Sequence, residues 1–221
     1  MKWSLLFLFL SLIGLPVTFA GILTDSTQQR RFQNLAMQMG LKAPKLKPEE
    51  YEVRIWQTVA LKYGDAHLAY VLRKTKKRFT VAKYLIESNK DGFQYAIRVK
   101  PTAKITTALW DQLQKHYLLT LPNLSTVLEE VHTRQPKDST WNEINNGEIT
   151  VKARRSRRKR ILVLDGEGYS FEVFGHNTYR SYGYSNPFSY IEAYPDSEEL
   201  HQVTGILNGL SIIFRSDQIG R

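Results

Sequence analysis

Residues 161–174 run Ile161-Leu162-Val163-Leu164-Asp165-Gly166-Glu167-Gly168-Tyr169-Ser170-Phe171-Glu172-Val173-Phe174. The first four form a continuous apolar run of the kind a strand buried on both faces shows. Asp-Gly-Glu-Gly is a turn signal, and Tyr169, Phe171 and Val173 then alternate with Ser170 and Glu172. The spacing predicts a β-hairpin and sets the character of the C-terminal third. Downstream, Phe188, Tyr190, Glu192 and Tyr194 alternate against Ser189, Ile191 and Ala193, as another strand would. Pro195 to Glu199 opens a helix lined by Leu200, Val203 and Leu207. Asn208-Gly209 is its expected stop, with Leu210–Phe214 as a final strand. Upstream, Glu148–Ala153 reads as a strand and Thr133–Gly147 as a polar connection.

The N-terminal half follows a 3.6-residue period instead. A helix capped near Thr24–Ser26 carries Phe32, Leu35, Ala36 and Met39 and ends at Gly40. After the linker Leu41–Lys47, Pro48 and the acids Glu49, Glu50 and Glu52 suit the start of a second helix, with Tyr51, Ile55 and Val59 as its stripe. A third runs from Asp65 through Leu68, Val71 and Leu72, and Phe79–Ser88 continues helically. Phe93–Lys100 fits either a strand or a helical extension. Two more helices are expected around Ile105–Tyr117 and Pro122–His132.

The fold class is therefore α+β: an N-terminal helical half, then a mainly antiparallel β-rich half with one C-terminal helix. The expected division is a signal peptide at 1–20, a helical subdomain at 21–132, a linker at 133–147 and a β-rich subdomain at 148–221, the two subdomains being separate or one continuous domain.

Lys2 precedes the apolar stretch Trp3–Leu15, Pro16 breaks it, and Thr18-Phe19-Ala20 has the small-x-small form of a cleavage site. Thirteen residues are too few to cross a bilayer core of about 30 Å as a helix. The sequence thus predicts export, secreted or periplasmic, with cleavage after Ala20. Cysteine is absent, which excludes disulfides, thiol nucleophiles and Cys-ligated metals.

The net charge of +10 is concentrated in two clusters. Arg73–Arg78 holds five basic residues and Lys152–Arg160 seven, with no acid in either. Together they hold 12 of the 31 Lys and Arg, and the remaining 19 face 21 Asp and Glu. Localised charge of this kind points to a localised anionic partner. The first cluster, at an expected helix end, also suits the negative end of a helix dipole.

Two recognition features follow. The cluster containing Lys152, Arg154, Arg155, Arg157, Arg158, Lys159 and Arg160 can contact lipid headgroups, acidic glycan or an envelope protein; export argues against nucleic acid. The segment Tyr179–Tyr194, with Tyr179, Arg180, Tyr182, Tyr184 and Tyr190, has the composition of a stacking loop, although the same rings can instead cover the sheet. The expected activity is binding: an exported protein recognising an anionic or glycan-rich envelope or extracellular partner, with peripheral membrane contact as a further option. A hydrolase using Asp165, Glu167 and His176 as acid–base groups is the competing reading. A third is a precursor cut after Arg160 at the Arg157-Arg158-Lys159-Arg160 site. No nucleotide, metal or catalytic fingerprint is present, and no cofactor is implied. Asn123-Leu124-Ser125 matches a glycosylation acceptor.

Overall fold

The computed structural model describes residues 26–134, 139–154 and 166–215. Among them are five helices and eight strands, an α+β arrangement. Helix α1 (Ser26–Gln38) ends at Gly40, whose φ of 74° is readily adopted only without a side chain. Strands β1 (Tyr51–Val59), β2 (Leu68–Lys74), β3 (Phe79–Asn89) and β4 (Gly92–Val99) follow as an antiparallel meander. After α2 (Thr107–Lys115) and α3 (Leu124–Arg134) come β5 (Ser139–Asn145) and β6 (Glu148–Arg154), a two-stranded ribbon. The chain continues through β7 (Glu167–Phe174), β8 (Tyr179–Ser185), α4 (Pro187–Ala193) and α5 (Glu198–Ile213). The main sheet has six strands in the order β4-β3-β2-β1-β7-β8, every pair antiparallel. Among the described residues no helix is long and apolar enough to cross a membrane.

Several elements differ from the sequence reading. The expected helices over 48–64, 65–78 and 79–88 are β1, β2 and β3. Their strands lie inside the sheet and bury both faces: in β1, Val53, Ile55 and Trp56 are all fully buried, so no polar–apolar alternation survives to mark the period of two. The β-branched and aromatic content of Val53-Arg54-Ile55-Trp56 decides for strand. Strand β5 falls within the span expected to be a polar connection. The expected strand over 188–194 is α4, started by Pro187 at the first helical turn. Asn208-Gly209 does not stop α5, because Leu207, Leu210 and Ile213 keep its buried stripe in step with the core. Both hydrogen-bonding edges of β7 are occupied, by β1 and β8; its expected hairpin partner, Ile161–Leu164, lies outside the described residues. The sheet thus takes four strands from the span read as helical and two from the span read as β-rich.

One face of the sheet carries the larger core. Val53, Ile55, Tyr70, Leu72, Phe171 and Tyr182 pack there with Trp110 and Leu113 of α2, Val127 of α3, and Leu200, Val203 and Ile206 of α5. Among the described residues, the opposite face has a smaller core under α1 alone. Phe32, Leu35 and Ala36 close over Trp56, Ala69 and Ile86, and the Phe32 ring stacks on Trp56 with centroids 5.3 Å apart. Because a single helix supplies that layer, Phe32→Ala is expected to cost about 3–5 kcal/mol, the usual range for removing a buried aromatic ring. Urea unfolding of the variant against wild type measures it; a loss under about 1 kcal/mol would contradict the packing role of that ring.

Candidate functional site

The face under α1 is polar where the helix does not reach. The β1–β2, β2–β3 and β1–β7 registers place Glu52, Arg73, Thr80 and Phe174 in one cross-strand row and Arg54, Val71, Ala82 and Glu172 in the next. Segment 40–45 crosses above them and leaves a groove of 480 Å³, lined by Lys42, Lys45, Glu52, Arg54, Arg73 and Arg98 among others. Two strand arginines hold that segment by its backbone. Arg54 Nη2 donates to the Lys42 carbonyl at 2.7 Å, and Arg73 Nη2 donates to the Lys45 carbonyl at 3.4 Å. The side chains of Lys42, Lys45, Arg73 and Arg98 are exposed.

The groove has five basic side chains and one acid. That acid, Glu52, is 6 % exposed and accepts from Arg54 Nε and Nη2 at 2.9 and 2.8 Å; Arg54 also sits over the Phe174 ring, 5.0 Å from its centroid. This pair is buried and internally neutral. Among the described residues Lys42, Lys45, Arg73 and Arg98 have no ion-pair partner, so four positive charges face the groove. The register separates Arg73 from Arg98 by about 13 Å along the strands and about 10 Å across them. The β2–β3 turn, closed by the Thr75 N–H donating to the Arg78 carbonyl at 2.8 Å, exposes Lys76, Lys77 and Arg78 beyond Arg73. The first basic cluster is therefore a hairpin tip continuous with the groove, where a helix end was expected.

The residues singled out from the sequence are distributed otherwise. Lys152 lies in β6 and pairs with Glu143 across the ribbon; Arg154 ends that strand. Arg155, Arg157, Arg158, Lys159, Arg160 and Asp165 lie outside the described residues. Glu167 begins β7 and accepts from the Tyr169 hydroxyl at 2.5 Å, while His176 follows the other end of β7, its Nδ1 donating to the Leu46 carbonyl at 2.7 Å. A strand of eight residues separates them by more than about 20 Å, whereas acid–base partners work within about 3 Å. The Glu167–His176 pair is not brought together. Among the described residues no three His, Asp or Glu side chains converge as a metal site.

The aromatic segment is not a stacking loop. Tyr179–Ser185 is β8, and its alternation turns Tyr182 and Tyr184 into the helix-covered core, each 1 % exposed. Tyr182 stacks on Phe171 and donates to the Leu118 carbonyl at 2.5 Å. Arg180 lies over the Tyr182 ring and donates to the carbonyls of Leu119 and Leu121, and Tyr190 packs from α4 against the same core. Asn123 is likewise committed: its Oδ1 accepts from the Gly183 N–H at 2.9 Å. Among the described residues the Tyr184 hydroxyl, by contrast, is buried without a hydrogen-bond partner. Tyr182→Phe is expected to cost about 1 kcal/mol, and Tyr184→Phe to be neutral or stabilising. Equal losses from the two in urea unfolding would refute this assignment.

Beside the groove, Glu172 is 2 % exposed and meets neutral donors: Trp56 Nε1 at 2.7 Å and the Tyr179 hydroxyl at 3.0 Å. Burial pushes its carboxyl above the usual glutamate value of 4.5, outweighing those two donors and the nearby Arg54. The folded protein thus keeps a proton that the unfolded chain releases near 4.5. Stability is lost as the pH rises from there through the raised folded value. Glu172→Gln should therefore gain stability relative to wild type across that rise. The check is the difference in unfolding free energy between the two proteins at a series of pH values; a difference independent of pH would remove the claim.

Comparison with protein-family models, curated proteins and solved structures finds no match for this chain.

Proposed function

We propose that this chain is an exported binding protein for an acidic polymer, an anionic glycan of the envelope or extracellular space, with the groove under segment 40–45 as its principal surface. The observation that carries this reading is the four cations facing that groove while its one acid is already neutralised by Arg54. A single small anion needs two or three converging donors. Charges spread over more than about 10 Å on a rigid sheet match a chain that bears several anions, through contacts that strengthen with each counterion released. Lys76, Lys77 and Arg78 lengthen the tract, and the Lys152–Arg160 cluster supplies a second basic contact by sequence. The leading segment Lys2–Ala20 places the working protein outside the cytosol on this reading, which favours glycan over nucleic acid.

The test uses dextran sulfate and polygalacturonate against neutral dextran. Wild type should bind both acidic polymers with an affinity that falls as salt rises. Arg73→Ala combined with Arg98→Ala should weaken binding by about tenfold or more and flatten the salt dependence, since each lost charge-assisted contact contributes about 1–3 kcal/mol. Neutralising Arg154, Arg155, Arg157 and Arg158 to Ala in a separate variant measures the second contact. Binding that is indifferent to salt and to the Arg73/Arg98 pair would overturn the groove as the site.

A further inference from the structure

A second cavity lies on the same face of the sheet, between the first turns of α1 and the β7–β8 hairpin. It measures 110 Å³ and is lined by Gln28, Phe32, Ser170, Glu172, Tyr179, Ser181 and Gly183 among others. A cavity of about 150 Å³ can hold a benzene ring, so this space admits a small ligand or the head of a larger one. Its lining is rich in acceptors. Ser170 Oγ already accepts from Gln28 Nε2 at 3.0 Å, and the Glu172 carboxylate and the Tyr179 hydroxyl lie beside it.

Two features of this cavity have no structural explanation of their own. The first is charge. The buried charged residues among those described are Glu52, Arg54 and Glu172. Arg54 is bonded to Glu52, and the partners of Glu172 are the neutral donors Trp56 and Tyr179. One buried carboxylate is left without a bonded cation, an expensive arrangement unless a positive charge reaches it or it keeps its proton. The second is Gly183. It stands in the middle of β8 between Tyr182 and Tyr184, and a strand-interior glycine costs stability. Its φ is not in the left-handed region, and a Cβ there would meet the Tyr169 carbonyl at 3.5 Å and Ser170 Oγ at 3.9 Å, both ordinary contacts. Neither conformation nor crowding requires glycine. Gly168, on the neighbouring strand, differs: a Cβ there would fall 2.5 Å from Thr58 Oγ1. Gly183 lines the cavity, and a Cβ there would take up space beside Ser170.

We propose that this cavity is a binding site for the ammonium head of a primary amine, with Glu172 as its counter-charge and the Ser170 and Tyr179 oxygens as further acceptors. An ammonium offers three donors to the acceptors that line the cavity, and its charge supplies the cation that the buried trio lacks. A divalent metal ion is a poorer match, because no three carboxylates or imidazoles converge among the described residues. The site takes a cation and lies apart from the groove proposed for polyanions, so the two assignments stand or fall separately.

The experiment is calorimetric titration, with thermal unfolding in parallel, of the full chain with methylammonium chloride and with Nα-acetyl-lysinamide, against potassium chloride at equal ionic strength. Wild type should respond to an amine beyond the potassium control. A response to methylammonium assigns a free small amine; a response to Nα-acetyl-lysinamide alone assigns a protein lysine side chain. Glu172→Gln, which keeps the shape and removes the charge, should weaken binding about tenfold or more. Gly183→Ala, which the backbone accommodates, should weaken it comparably by filling the space, and its unligated melting temperature verifies that the fold is intact. No response in wild type, a response equalled by potassium, or undiminished binding in both variants overturns the proposal.

Discussion

The antiparallel ladder between β1 and β7 is the interaction on which the rest depends. It joins the β1–β4 meander to the β7–β8 hairpin, and its register runs unbroken from Glu52 opposite Phe174 to Val59 opposite Glu167. That register sets Trp56 and Arg54 beside Ser170 and Glu172, so that Trp56 Nε1 reaches the Glu172 carboxylate and Arg54 reaches the Phe174 ring. A slip of one residue in β1 would turn Arg54 and Trp56 together to the other face, carrying a charge into the helix-covered core and breaking both contacts. The two cores and both cavities are consequences of a single alignment.

The two faces divide the chemistry. The face covered by α2, α3, α4 and α5 is almost wholly apolar and uses its few polar groups, Arg180 and the Tyr182 hydroxyl, to satisfy carbonyls of the α2–α3 connection. Those bonds also cover the β8 side of the sheet. The face under α1 is only partly covered. Where Phe32, Leu35 and Ala36 end, ionised groups begin, and Arg54 serves both as partner to Glu52 and as a tether for segment 40–45. Surface charge there is carried by residues whose neighbours are fixed by hydrogen bonding of the backbone, which gives the groove a defined shape.

The α+β class, helix α1, α2, α3, β6, β7 and the start of α5 were legible in the sequence, because each bears a clean period or an unambiguous terminus, while the sequence of β4 fits strand and helix alike. The central strands were not. Trp56, Ala69 and Ile86 are buried on one face and Val53, Tyr70, Leu72 and Val81 on the other, and a two-sided strand loses the alternation that identifies it. Tyr51, Ile55 and Val59 then matched a helical spacing by coincidence of composition. The groove was hidden for a related reason. Arg54, Arg73 and Arg98 lie on three different strands and meet only through cross-strand registers, with Lys42 and Lys45 added from the segment that crosses above them. A partial signal was present in Glu52-Val53-Arg54-Ile55-Trp56, where acid and base two residues apart share a face only in a strand. The tyrosines of β8 misled in the opposite sense: their abundance marks core, with Tyr182 and Tyr184 buried by the same alternation.

The central ladder also dictates an order of assembly. Trp56 and Glu172 are 116 positions apart, so their contact closes a loop of more than half the chain, whereas the meander needs only neighbouring segments. Contacts of such separation form late. Until they do, β1 is an unpaired border of valine, isoleucine and tryptophan, open to strands of other molecules. The most aggregation-prone moment in the life of this protein is therefore the interval between completion of its first four strands and arrival of the seventh.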